Sequence, residues 1–191
     1  MKYHFFAYMA RMKHIKRWGL MNNDKEENIQ EHSLQVAMIA HALALITNRI
    51  YGGGVDAEHI MAIAVYHETS EVLTGDLSTP IKYYNPKIKT AYKEIERIAD
   101  EKLLGMIPEE LRPDYEELII GHTDEEYRLV KAADKICAYL KCVEELKTGN
   151  LEFKQAKASI LAEIERMNIP AVGYFMEKFE PSFGLTLDEL N

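Results

Sequence analysis

Four ionisable side chains fall where helical periodicity calls for packing. His32 lies on the apolar stripe Ile29, His32, Val36, Ile39, Leu43. His67 continues the stripe Ile60, Ile63, Ala64, and Glu68 follows it directly. Asp134 sits within Val130-Lys131-Ala132-Ala133-Asp134-Lys135-Ile136-Cys137-Ala138, where small side chains let helices approach and take a carboxylate deep inside. A buried carboxylate must be ion-paired, hydrogen-bonded or bound to a metal. Two imidazoles and two carboxylates suit a divalent ion such as Mn²⁺, Fe²⁺, Co²⁺ or Zn²⁺. Such a set leaves positions open for water and substrate, as a hydrolytic metal needs. Spacing alone leaves other readings open: hydrogen-bonded core histidines, and an Asp134 that pairs with an arginine or caps a neighbouring helix.

The elements that would position these groups are all helical. Gly and Pro are sparse and fall at the ends of helix-periodic segments. The pattern predicts a first helix over Tyr3–Lys13, then a polar loop opening on Arg17-Trp18. Asn28 can cap a long second helix to Ile50, stopped by Gly52-Gly53-Gly54. That helix is apolar almost all round from Val36 to Ile46, which predicts a buried central helix. Asp56 can cap a third helix ending at His67 or Glu71, and Thr74–Pro86 reads as loop. A fourth helix covers Lys87–Leu104, with short helical pieces bracketed by Pro108 and Pro113. Thr123-x-x-Glu126 is a capping-box pattern opening a helix to Lys147. Further helices are expected over Glu152–Met167 and Ala171–Phe179. The fold class is all-α, with one domain over residues 1–191.

Charge narrows the partners. Asp and Glu number 31 against 23 Lys and Arg, for a net charge of −8. That field disfavours nucleic-acid polymers and anionic membranes, so an anionic small ligand would need a local cationic site. The runs Val36–Ala40 and Ala42–Ile46 are split by His41 and too short to span a bilayer. Met1–Lys13 alternates apolar and basic residues and does not read as a signal peptide. Cys137 and Cys142, five apart, do not share a helix face and read as reduced thiols, as in a cytoplasmic protein.

Several longer blocks sharpen the reading: His4-Phe5-Phe6-Ala7, Arg17-Trp18, Glu31-His32-Ser33-Leu34-Gln35-Val36-Ala37, Glu71-Val72-Leu73-Thr74-Gly75-Asp76, Asp134-Lys135-Ile136-Cys137-Ala138-Tyr139-Leu140-Lys141 and Pro181-Ser182-Phe183. With them the chain resembles the HD-domain metal phosphohydrolases, and more narrowly the bacterial 5′-deoxynucleotidases of the YfbR type, almost end to end. The resemblance implies an all-helical fold, usually homodimeric. It implies one divalent metal ion (Co, Mn, Zn, Fe or Cu) and hydrolysis of deoxyribonucleoside 5′-monophosphates to deoxyribonucleosides and phosphate. It places metal ligands at His32, His67, Glu68 and Asp134. Arg17 would orient the phosphate, Trp18 would lie beside the sugar and exclude a 2′-hydroxyl, and Glu71 would be the general acid/base. Asp76 would contact the sugar or support proton transfer. Thr79, Pro80, Ile81 and Lys82 match the substrate loop, with His32 and Asp134 also facing substrate.

Two positions depart from the family pattern. Glu68 stands where the family usually has Asp, so its carboxylate sits one methylene further out. Ser78 stands where Pro is expected. These departures keep two alternatives open: an HD hydrolase acting on another nucleotide phosphoester, and a catalytically weakened nucleotide-binding protein. His4, His14, His41, His59 and His122 carry no assigned role, and Asp124-Glu125-Glu126 reads as acidic charge favoured at a helix N-terminus.

Overall fold

The computed structural model describes residues 2–78, 81 and 85–191. The described chain runs through α1 (Phe5–Met9), a 3₁₀ turn (Met12–His14), α2 (Ile29–Tyr51), α3 (Ala57–Tyr66), α4 (Glu71–Thr74) and α5 (Pro86–Leu104). It continues through α6 (Arg112–Ile119), α7 (Asp124–Lys147), α8 (Lys154–Met167) and α9 (Pro170–Lys178), with short 3₁₀ turns at Leu151–Phe153 and after α9. No strand occurs among the described residues; a single bridge pairs Lys16 with Asn28. The fold is the all-α class expected from the sequence.

Caps fix the helix ends as local chemistry dictates. The Asn28 side chain accepts from the backbone N–H groups of Gln30 and Glu31. Gly52 closes α2 in the left-handed region at φ 71°, which a side chain would strain. The Thr123–Glu126 capping box is complete in both directions. The first helix is shorter than expected: neither end has a side-chain cap, and the chain tightens into the 3₁₀ turn. The third helix also ends early, at Tyr66. Thr69 donates to the Tyr66 carbonyl from both its N–H (3.0 Å) and its Oγ1 (2.6 Å), and the Glu71 N–H turns back to Glu68 O (3.1 Å). These i→i+3 bonds replace the helical ladder over residues 67–70.

Two apolar clusters organise the packing. The larger joins α2, α3, α7 and α9 through Val36, Leu43, Ile60, Ile136, Leu140 and Phe175. The smaller joins α1, the start of α2 and the end of α5 through Phe5, Met9, Ile29 and Leu103. His32 falls on α2 between Ile29 of one cluster and Val36 of the other, fully buried. By length and composition α2 could cross a membrane. It instead packs against α3, α7 and α9. It is not buried all round, because Leu34 and Met38 are 59% and 58% exposed.

The segment between the 3₁₀ turn and α2 is a closed excursion. Arg17 N–H donates to Glu27 O (2.9 Å) and Ile29 N–H to Ile15 O (3.0 Å), which pinch its base. Its first residues are Arg17 and Trp18.

Candidate metal and phosphate site

His32 from α2, His67 and Glu68 from the turn after α3, and Asp134 from α7 converge. Each offers one donor atom, and these four atoms lie within 4.8 Å of one another. A first-row ion with ligands at about 2.0–2.2 Å separates opposite donors by about 4.4 Å at most, so the cluster is already near coordination size. The extra methylene of Glu68 does not carry its carboxylate out of the group.

The nitrogen atoms are arranged for a cation. His67 Nδ1 lies 2.7 Å from the Ala64 carbonyl, so the ring N–H donates there and Nε2 keeps its lone pair. Nε2 is buried with no hydrogen-bond partner, although Glu68 Oε1 is 3.1 Å away. His32 Nε2 faces Asp134 Oδ1 at 3.1 Å. Its other nitrogen points toward Glu27 Oε1 at 3.8 Å, too long for a hydrogen bond, and is buried and unpartnered. Burial, reinforced by the Arg17 charge, lowers the His32 pKa and favours the neutral ring that a metal requires.

The carboxylates divide into two kinds. Burial disfavours the charged form of Glu68, but His67, Glu71 and Arg17 outweigh it and hold the group well below the usual carboxylate range. Lys131, His32 and His67 do the same for Asp134 against its burial. Glu71 moves the other way: burial and the adjacent Glu68 carboxylate keep it protonated at neutral pH. It hydrogen-bonds Glu68, and its Oε2 has no partner. The sequence expected Glu71 to reach the site by a continuing helix. It arrives instead through the turn at 67–70 and is buried.

Arg17 joins this cluster from the loop before α2. Its Nε is 3.2 Å from Glu27 Oε2 and its Nη1 is 3.5 Å from Glu68 Oε1. Burial opposes the guanidinium charge, but Glu68, Asp134, Glu27 and Asp76 hold it above the normal arginine range. Asp76 follows Gly75, whose φ of 73° makes the turn, and lies close enough to act electrostatically on both Arg17 and Glu71. Trp18 is half-buried. Its Nε1 donates to Glu27 Oε2 (3.0 Å), and its ring meets Phe153 at 5.3 Å between centroids. Its φ of 58° is a strained value for a bulky residue, and such strain concentrates at functional sites.

Of the expected substrate loop, Ile81 is exposed and its N–H donates to Ser78 O (2.9 Å). Thr79, Pro80 and Lys82 lie outside the described residues. Two residues at the site were missed in the sequence. Glu27 joins Arg17, Trp18 and the far side of His32 with one carboxylate. Lys131 places its ammonium 3.7 Å from Asp134 Oδ2 and over the Tyr127 ring. Lys131 was detectable as the residue one turn before Asp134 on α7. Glu27 gave no signal, because its contacts come from the loop pinch.

His122 stacks on Tyr127 at 4.6 Å. His59 lies 3.7 Å from Glu126. Arg97 pairs with Glu94 and Glu101 on the exposed face of α5.

The model of the 5′-deoxynucleotidase YfbR-like family matches residues 4–183. A curated 5′-deoxynucleotidase YfbR of Escherichia coli is 56% identical over 190 residues, covering 98% of this chain and 96% of that one. Among solved structures, an HD-domain phosphohydrolase from Listeria innocua superposes with a TM-score of 0.82 at 24% identity, covering 96% of this chain and 90% of that one. The cyanophage S-2L HD phosphohydrolase DatZ, bound to dA and one catalytic Zn²⁺ ion, superposes at 0.67 with 20% identity, covering 94% and 96%.

Proposed function

The chain belongs to the YfbR-like 5′-deoxynucleotidase family, and on that premise we propose that it hydrolyses deoxyribonucleoside 5′-monophosphates with one divalent metal ion. The observation that carries this reading is the group of four donor atoms within 4.8 Å, with an unpartnered His67 nitrogen among the described residues and the half-buried Arg17 guanidinium 3.5 Å from Glu68 Oε1. His32, His67, Glu68 and Asp134 would hold the ion. When bound, it supplies Lewis acidity and neutralises phosphoryl charge. Arg17 grips the phosphate, since its fork suits two oxygens at once. Glu71, held protonated beside Glu68, gives its proton to the departing 5′-oxygen as the phosphorus–oxygen bond breaks, and regains one from the water that adds to phosphorus. Trp18 and Asp76 flank the sugar, and Thr79, Pro80, Ile81 and Lys82 are the further substrate-binding residues.

Further properties go with this reading. Residues 1–191 act as one domain. Cys137 and Cys142 are both free and buried, which suits the cytoplasm. A homodimer has a face to use. α2 exposes Leu34, Met38 and Leu45 at helical spacing, and α3, packed against it, exposes Met61 and Val65. Light scattering should give twice the chain mass, falling to one on Met38→Glu.

Phosphate release from matched deoxy- and ribonucleoside monophosphates tests the reaction. The protein is stripped and resupplied with Mn²⁺, Co²⁺, Zn²⁺, Cu²⁺ or Mg²⁺. Release should require metal, favour the deoxy series and fall about 10²- to 10⁴-fold in Glu71→Gln. Silence with every metal in a folded protein overturns the reading.

A further inference from the structure

The loop that begins with Arg17-Trp18 is pinned a second time, away from the metal site. Glu145 of α7 is 1% exposed and takes four donors. They are the Asp24 N–H (2.9 Å), the Lys25 N–H (3.1 Å), Lys141 Nζ (2.5 Å) and Asn150 Nδ2 (2.8 Å). Lys141 Nζ also donates to Lys25 O (2.5 Å), and Asn150 Nδ2 to Asn22 O (2.7 Å). Thr148 Oγ1 reaches Asp24 Oδ2 at 2.6 Å. Asn23 Nδ2 then ties the loop to itself through the carbonyls of Trp18 (3.1 Å) and Met21 (3.0 Å). Phe153, against which the Trp18 ring packs, lies under Lys141 Nζ at 5.9 Å. A buried ion pair is weak evidence of stabilisation, because apolar residues of similar volume often replace one without loss. Here both charges are turned on loop backbone instead, which apolar residues cannot do.

We infer that Glu145 and Lys141 are positioning residues for the proposed reaction: they lock the 17–27 loop so that Trp18 and Arg17 stand at a fixed distance from the metal ligands. Asp134 and Glu145 belong to the same helix, so the metal ligand and the loop clamp share one rigid frame. Sugar discrimination by Trp18 depends on that frame, because a bulky ring rejects a 2′-hydroxyl only while it is held still. This inference rests on the deoxynucleotidase reading.

Trp18 is the sole tryptophan, so its fluorescence reports loop docking in the resting protein without turnover. Glu145→Gln and Glu145→Ala are compared with the native chain for tryptophan emission, acrylamide quenching, kinetics on paired dNMP and NMP substrates, and melting with and without metal. The expected result is a red-shifted, more quenchable Trp18. KM for dNMP should rise roughly ten- to a hundredfold and deoxy-over-ribo preference should collapse, with kcat changed far less. The metal-induced rise in melting temperature should persist. If the Glu145 variants fail to fold by circular dichroism, Thr148→Val removes one exposed contact and should shift the same readouts in the same direction, by less. Unchanged Trp18 quenching in a folded Glu145→Ala overturns the inference, as does a released Trp18 with unchanged KM and selectivity. A native chain without dNMP turnover overturns the reaction itself, whereas an active chain indifferent to the clamp overturns only this step.

Discussion

Helix α7 carries two inward carboxylates, Asp134 and Glu145, in opposite kinds of surroundings. Around Glu145 each charge is met: a lysine, two backbone N–H groups and an asparagine amide converge on it. Burial alone would raise its pKa, but those donors bring it down to about 2. Around Asp134, among the described residues, the carboxylates of Glu27, Glu68 and Asp134 share the cations Arg17 and Lys131. Glu71 stays protonated, and among the described residues His32 Nδ1, His67 Nε2 and Glu71 Oε2 have no partner. Native proteins leave few buried polar groups unsatisfied, so a cluster of them marks a place where something else binds. The first cluster is complete as folded and serves as scaffold. The second presents the donor set that a cation would complete.

The contrast is broken most directly through metal linkage. At a metal concentration a hundredfold above Kd, binding stabilises the native state by about 2.7 kcal/mol. That raises the melting temperature by roughly 5–10 °C for a chain of this size. Asp134→Asn should abolish the rise, whereas Glu145→Gln should keep it. Equal loss in both would erase the distinction between site and scaffold.

A comparable effect tests the scaffold alone. Lys141→Met leaves Glu145 charged and deprived of its strongest partner, at an expected loss of about 3 kcal/mol in urea unfolding. Adding metal should not restore it. A loss below about 0.5 kcal/mol would show that the backbone donors suffice without the lysine.

The smallest effect comes from a third carboxylate, Asp100 on α5, which sharpens the contrast. Its Oδ1 has no partner among the described residues, and burial, with Glu96 nearby, pushes its pKa up to about 7. Because the folded pKa is raised, its contribution to stability is complete below about 4, declines as pH rises, and is gone above about 7. Asp100→Asn should flatten that part of the stability–pH curve and leave metal binding untouched. Asp100 answers its unpartnered oxygen by favouring the protonated form, and among the described residues it belongs to no group of ligand atoms. An unchanged curve would show that Asp100 is solvated in the native state.

The candidate metal site was legible because its residues break periodicity: His32, His67 and Asp134 are polar on apolar stripes, and helix caps at Asn28, Asp56 and Thr123 fix the phases of those stripes. Glu71 was legible through the family blocks, although the turn that delivers it was not, because Thr69 competes with the helix ladder through a local hydrogen bond. The scaffold cluster escaped notice even though Val130, Asp134, Cys137, Lys141 and Glu145 form one continuous stripe. Lys and Glu four apart read as an ordinary solvated pair. Only the return of the loop at 22–25, more than a hundred positions away in sequence, buries them.

Asp134 and Glu145 are eleven residues apart, close to three full turns, which puts both on one face with roughly 16 Å between them. α7 is therefore a ruler, and its length counts as much as its composition. One residue inserted between those positions turns one end about 100° from the other and carries either the metal ligand or the loop clamp off its face. Substitutions on the outer side of α7 leave that measure intact, and so do length changes in the 105–111 connection. Drift in this protein is then free in spelling on the outer side of α7 but not in spacing, so indels should be purged between Asp134 and Glu145.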